Sequence, residues 1–283
     1  MDILSFHRLI KSESAAQKYL SKYCLKNGHR YCPRCGVRKL YKLQDGRRRC
    51  SRCLYTFHDF SGRWINRGGL SCAQWLWLIK LFDLEASTRR ISKEMNVAYR
   101  TAYKAVTTMR MAILAHAKDA EKLLGGVVEM DEAYFGGRRK GKRGRGAGGK
   151  VPVFGILERK GQVSVEVVSD VKTRTLLSLT TQKVKWGSII YTDRFQVYDA
   201  LMSYGYKHDT INHKVRFARG KVYINGIEGF WSFAKERLMK FHGMSPHTFP
   251  LYIKEMEFKY NYRHQDTFHV LAKYLCDLVP NRD

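Results

Sequence analysis

The sequence predicts an α/β domain in its C-terminal half, carried behind a small metal-ligating module and a helical region. Three observations point there. From Val127 onward, strand-like runs alternate with helical ones, the pattern of an α/β domain. Two Cys-x-x-Cys pairs fall within residues 31–60. Between them and the α/β part, residues 70–118 are rich in Leu, Ala, Met and Thr with few helix breakers.

The N-terminal segment, residues 1–30, reads as helical, with Phe6, Leu9 and Ile10 followed by Ala16, Tyr19 and Leu20. Residues 31–60 then carry Cys32-Pro-Arg-Cys35 and Cys50-Ser-Arg-Cys53, with fourteen residues between the pairs. Each pair wraps two thiolates round one tetrahedral ion, and the stretch between reads as a hairpin turning at Asp45-Gly46. That is zinc-ribbon spacing, with Cys32, Cys35, Cys50 and Cys53 as ligands to one structural Zn²⁺. The ion replaces a hydrophobic core that some thirty residues cannot build. Cys24, Cys72 and Cys276 have no partner at ligand spacing and read as ordinary thiols. Arg34, Arg38, Lys39, Arg47, Arg48, Arg49 and Arg52 give the module a positive surface suited to phosphate, with Arg34, Arg47, Arg48 and Arg49 as the leading DNA contacts.

Within 70–118, Ser87–Met95 suits a short helix capped by Ser87 or Thr88, Asn96-Val97 a tight turn, and Ala98–Met109 a second helix. Ile91, Val97, Ala102 and Val106 would form the core, leaving Arg100, Thr101 and Lys104 outward. This matches a helix-turn-helix whose second helix enters a major groove, although an ordinary helical hairpin fits these residues nearly as well. Charge tips the balance. Lys plus Arg total 52 against 25 acids, a net +27, while 44% hydrophobic residues are enough for real cores. A polyanion relieves the self-repulsion that such an excess costs, and nucleic acid is the leading partner. No apolar run approaches the roughly 20 residues that span a bilayer, and the first residues show no secretory apolar stretch. The chain therefore reads as an intracellular protein that does not engage membranes.

In the α/β part, strands are expected at Val127–Tyr134, Val151–Glu158 and Val163–Val168, then a helix over Lys172–Lys183 and a strand at Ser188–Tyr191. A short helix at Val197–Tyr204, a strand near Lys207–Ile211 and helices over Gly226–Met239 and Phe249–Tyr260 follow, with residues 266–283 as a tail helix. This is the order of a ribonuclease H-like domain, though on pattern alone other α/β folds stay open. Asp131 lies in the first strand, Asp193 after the fourth and Glu228 at the start of the late helix. Thirty-four residues separate the last two, and Lys235 stands seven positions past Glu228 on the same helix face. Hydrolysis or transfer at a phosphodiester needs an activated nucleophile and a stabilised leaving oxygen, which two divalent ions held by carboxylates supply. An oxygen-rich site suits Mg²⁺ or Mn²⁺, two per site. Glu129, Glu132 and Asp199 read as structural neighbours.

Several motifs together resemble the DDE insertion-sequence transposases that carry an N-terminal zinc ribbon. They are the two Cys-x-x-Cys pairs, Met130-Asp131-Glu-Ala-Tyr-Phe-Gly-Gly137, Tyr191-Thr-Asp193, Asn225-Gly-Ile-Glu228-Gly-Phe-Trp231-Ser-Phe-Ala-Lys235 and Glu257-Phe-Lys-Tyr-Asn261-Tyr-Arg263. The resemblance covers nearly the whole chain. It implies a ribonuclease H-like catalytic domain at 125–265, Mg²⁺-dependent cutting and joining of element ends, and a homodimer or higher multimer on double-stranded DNA, both terminal inverted repeats and target. Some members of that group are described as using asparagine as third ligand. Charge favours Glu228 over Asn225, which would then cap the helix or support Glu228. A non-enzymatic DNA-binding regulator and a structure-specific nuclease are the rival readings. Between the first two strands, residues 136–150 carry seven positive charges, seven glycines and no acid. Arg138, Arg139, Lys140, Lys142, Arg143 and Arg145 read as an arm along the DNA backbone.

Overall fold

The computed structural model describes residues 1–119, 123–136, 150–193, 201–211, 224–241 and 244–280. They form two compact units, Met1–Asp119 with His264–Asp283, and Ala120–Arg263. The arm residues Arg138, Arg139, Lys140, Lys142, Arg143 and Arg145, the neighbouring Asp199 and the start of the expected helix at Val197 lie outside the described residues.

The first unit opens with α1 (Ile3–Leu9) and α2 (Glu13–Lys22), capped by Asp2 and Ser12. A three-stranded antiparallel sheet follows: β1 (Leu40–Lys42), β2 (Arg48–Cys50) and β3 (Thr56–Phe57). The expected hairpin is there, and Gly46 adopts φ +80° in its turn, a conformation open to glycine. Helix α3 (Cys72–Asp83) carries a capping box on Ser71, and the Glu13 carboxylate accepts from the Cys72 and Ala73 amides at 2.6 and 3.0 Å. Helix α4 (Thr88–Glu94) is capped by Ser87, whose hydroxyl accepts from the Arg90 amide at 3.2 Å. Asn96, at φ +47°, makes the turn into α5 (Tyr99–Asp119). That helix runs ten residues past the expected end at Met109, because no breaker follows and Ala112 and Ile113 are buried. Ile91, Ala102 and Val106 are buried as expected, whereas Val97 is only half-buried. The tail helix α9 (Thr267–Cys276) packs on α3 and α5, so the end of the chain belongs to the first unit.

The second unit is a five-stranded sheet: β4 (Val127–Phe135), β5 (Val151–Glu158), β6 (Val163–Val167), β7 (Ile189–Asp193) and β8 (Lys207–Ile211). Their order is β6-β5-β4-β7-β8, antiparallel through β6-β5-β4 and parallel through β4-β7-β8. An antiparallel meander joined to parallel strands in this order is the ribonuclease H-like sheet the element pattern predicted. Helix α6 (Thr173–Lys183) contributes Leu176 and Leu177 to the core beneath Val128, Met130 and Ile190. Helices α7 (Asn225–Leu238) and α8 (Phe249–Asn261) contribute Ile227, Phe230, Trp231 and Met256 to the core on the other face.

Helix α8 covers the sheet edge. The Val163 amide donates to Asn261 Oδ1 at 2.8 Å, Asn261 Nδ2 donates to the Val163 carbonyl at 2.9 Å, and the Val165 amide donates to Glu257 Oε2 at 2.7 Å. These side chains satisfy edge groups of β6 that would otherwise offer a pairing template. Buried Lys254 bridges Glu257 and Glu166 at 2.9 and 3.0 Å. The Glu257…Asn261 motif is thus a structural clasp.

Candidate active site

Asp131 and Asp193 arrive from neighbouring parallel strands. Met130 of β4 is in register with Thr192 of β7, so the next residue on each strand is an aspartate. Burial pushes the Asp131 carboxyl up to about 7, and the negative charges of Glu132 and Asp193 add to it. The two acids predicted from separate strands therefore feel each other.

Above Asp131 lies α7. The indole Nε1–H of Trp231 donates to Asp131 Oδ2 at 3.1 Å, joining residues a hundred apart in sequence. Space for that ring comes from Gly155, the β5 residue paired with Asp131. A Cβ there would lie 2.5 Å from Trp231 Cζ2 and 2.8 Å from Cη2. Two residues back on β4, Glu129 faces the same helix and is 1% exposed. Its Oε2 accepts from the Ile227 amide at 3.0 Å and its Oε1 from Arg159 Nε at 2.8 Å. Arg159 in turn lies 4.4 Å over the ring of Tyr191.

Glu228 stands in the first turn of α7, exposed, one turn before Trp231 on the helix that touches Asp131. Lys235 is exposed two turns further along the same face. Among the described residues, only the four ribbon cysteines bring three or more ligand atoms within 4.8 Å of one another. The Glu228 carboxylate therefore does not close on Asp131 and Asp193 to that distance. The expectation that Asn225 caps the helix is corrected. Asn225 is the first helical residue, and the cap position is Ile224, which has no side-chain acceptor. Glu129, from β4, supplies the acceptor instead. Gly155 was missed from sequence, Trp231 was read there only as part of a motif, and Glu129 is the structural acid that the sequence suggested, partnered by Ile227 and Arg159. The one available signal was strand alternation, which puts Glu129 on the face of Asp131.

In the ribbon, Cys32 and Cys53 sulfurs lie 3.5 Å apart, as do those of Cys35 and Cys50. All four ligand atoms fall within 4.8 Å. A tetrahedral Zn²⁺ with sulfurs at about 2.3 Å needs separations of roughly 3.8 Å, so the cysteines fit that ion. The backbone N–H groups of Cys53 and Arg52 hold the Cys50 thiol down to about 6, while burial pushes the Cys32 thiol up to about 12. Around it, Arg34 and Arg49 are exposed. Arg47 is also exposed, beside Asp45 at 2.6 Å. Arg48 departs from the expected surface set: strand alternation turns it away from the Arg49 side, half-buried, with Nε 3.5 Å from Asp59 Oδ1. On α5, Arg100 and Lys104 project outward while Thr101 is half-buried. Two tyrosines share that exposed stretch: Tyr99 and Tyr103, 54% and 41% exposed with ring centroids 6.2 Å apart. No described helix is long and apolar enough to cross a membrane.

Comparison with known proteins gives consistent matches. Residues 123–261 match the ISXO2-like transposase domain, and residues 11–56 match the transposase zinc-ribbon domain. An uncharacterized transposase-like protein of Haemophilus influenzae is 45% identical over 102 residues, 36% of this chain and 83% of its own length. An uncharacterized protein in transposable element ISH50 of Halobacterium salinarum is 26% identical over 274 residues, 88% of this chain and 90% of its own. Among solved structures, the catalytic core domain of BIV integrase matches at 13% identity and TM-score 0.33, covering 50% of this chain and 86% of that one. The Mos1 strand transfer complex matches at 11% identity and TM-score 0.29, covering 71% and 73%.

Proposed function

The chain belongs to the family of ISXO2-like transposases with a transposase zinc ribbon, and from that premise we propose a metal-dependent reaction at DNA ends. The protein binds the terminal inverted repeats of an insertion sequence, cleaves the strands there and joins them to target DNA. The observation that carries this reading is the pair of aspartates that directly follow the last paired residues, Met130 and Thr192, of adjacent parallel strands, beneath a helix that bears Glu228 and Lys235.

Asp131, Asp193 and Glu228 would hold Mg²⁺ or Mn²⁺, two ions per site. The donor set fits hard cations, being all oxygen. Asp131, buried and beside the charges of Glu132 and Asp193, ionises reluctantly, and the positive charge of bound ions would offset that resistance. When bound, such ions activate the attacking hydroxyl and stabilise the leaving oxygen. The protein's own groups do the rest. Trp231 locks the Asp131 carboxylate through its indole N–H, so both oxygens keep fixed directions. Lys235, on the Glu228 face, meets the scissile strand's phosphate. Asn225 stands in the first turn and supports Glu228. End recognition falls to the ribbon, through Arg34, Arg47 and Arg49, and to the start of α5, through Arg100 and Lys104. The basic residues from Arg138 to Arg145 contribute phosphate contacts. Two ends brought together call for a dimer or a higher multimer.

The test incubates the protein and Mg²⁺ with labelled element ends and a target plasmid, then sequences the products. Asp131→Asn, Asp193→Asn and Glu228→Gln should abolish cleavage and leave end-binding intact, while Asn225→Ala only slows it. A Glu228→Gln protein that cleaves normally beside a dead Asn225→Ala protein would reverse the choice of third ligand. Normal cleavage by Asp131→Asn would refute the whole assignment.

A further inference from the structure

Helix α7 has to solve a problem that its own sequence does not. Its first N–H groups need acceptors, and the cap residue Ile224 offers none from its side chain. The acceptor comes from Glu129, a carboxylate buried under the helix from 98 residues upstream, and the Arg159 guanidinium balances its charge. Gly226 is part of the fit: a Cβ there would press to 2.8 Å from Glu129 Oε2. A second bond holds the helix one turn on, from Trp231 to Asp131.

These two attachments are commensurate. Glu129 and Asp131 are two residues apart on β4, about 6.7 Å, and Ile227 and Trp231 are four apart on α7, about 6.0 Å. Each step along the strand therefore has its partner on the helix, and a slip of α7 by one residue would break both bonds. Glu228 lies between the two points. We propose that Glu129 is a positioning residue: together with Trp231 it fixes the register of α7 on β4, and so holds Glu228 at the one helix position from which it completes the metal site when the ions bind. This rests on Glu228 being the third ligand.

The test uses the full-length zinc-loaded protein and measures Mn²⁺ binding by titration calorimetry, with end-binding and strand cleavage followed in parallel. Glu129→Asp keeps the charge beside Arg159 but draws the carboxylate back from the Ile227 amide. Its Mn²⁺ affinity should fall roughly tenfold, as outer-sphere losses do, with cleavage reduced and end-binding unchanged. Glu129→Gln keeps an oxygen for the Ile227 amide but turns an NH2 donor towards Arg159 Nε–H, and should recover part of the loss. Leu176→Ala, in the core on the opposite sheet face, lowers stability alone and should bind Mn²⁺ as the wild type does. The proposal fails if Glu129→Asp binds Mn²⁺ like wild type, if the Gln variant is as impaired as the Asp one, or if Leu176→Ala weakens binding equally. Glu228→Gln separates the underlying reading: wild-type affinity there sinks Glu228 as ligand, whatever Glu129 does.

Discussion

A methyl group added at Gly155 tests the geometry under Asp131 most directly. In Gly155→Ala the new Cβ would stand 2.5 and 2.8 Å from two ring carbons of Trp231 and 3.0 Å from Ile227 Cδ1. Carbon atoms settle at about 3.5–4.0 Å, so the indole must retreat by roughly 1 Å. It is tethered by the 3.1 Å bond to Asp131 Oδ2, and that retreat stretches the bond to about 4 Å, beyond hydrogen-bonding range. Overpacking costs about 1–3 kcal/mol, and losing a bond to a charged acceptor about 1.5–3 kcal/mol. At roughly 3 °C per kcal/mol for a domain of this size, melting should drop by about 8–18 °C. Strand cleavage should fall up to about a hundredfold, the effect of a misplacement near 1 Å, while end-binding holds. Trp231→Phe removes the donor and the clashing second ring together. The double variant should therefore lose less stability than the two single losses summed, by about 1–3 kcal/mol, yet still cleave slowly. Calorimetric melting and a gel assay on labelled ends read both quantities. Wild-type melting and cleavage in Gly155→Ala would refute the reasoning.

Three further outcomes follow from the site and its charges. Cys32→Ser or Cys50→Ser should release one zinc per chain, measured by elemental analysis, and unfold the ribbon while the Ala120–Arg263 unit still melts as before. In chelator, stability should depend on Asp131. Its carboxyl is pushed up to about 7, so the native state holds the proton more tightly than the unfolded chain does. The contribution is greatest below the ordinary carboxylate range and declines as pH rises towards 7; Asp131→Asn should flatten that part of the melting-versus-pH curve, and an unchanged curve would count against the burial. Neutralising Arg138, Arg139, Lys140, Lys142, Arg143 and Arg145 should reduce the log–log salt slope of end-binding by about 0.9 for each DNA phosphate that the arm no longer neutralises; an unaltered slope would mean that the arm does not touch DNA.

Local signals carried a large part of this protein in its linear sequence. Ligand spacing defined the ribbon because two short knuckles suffice to wrap one ion. Period-two and period-3.6 patterns located the strands and helices around Asp131, Asp193 and Glu228 because each needs only neighbours within a few residues. Ser87 announced α4 through a bond three residues long. What the tertiary structure alone decided are pairings between residues about a hundred positions apart. Glu129 is an unremarkable acid in the chain, and only the packing of α7 on β4 makes it that helix's missing cap in place of Asn225. Trp231 looks like core until its N–H meets Asp131. Arg48 joins a basic run in sequence but turns towards Asp59 in the fold. The tail helix gave no sign of its place in the first unit. Burial drives these choices: once a carboxylate, an indole or a helix end leaves water, its polar atoms must find whichever partner the fold brings within 3 Å or so, and no local pattern records which one that will be.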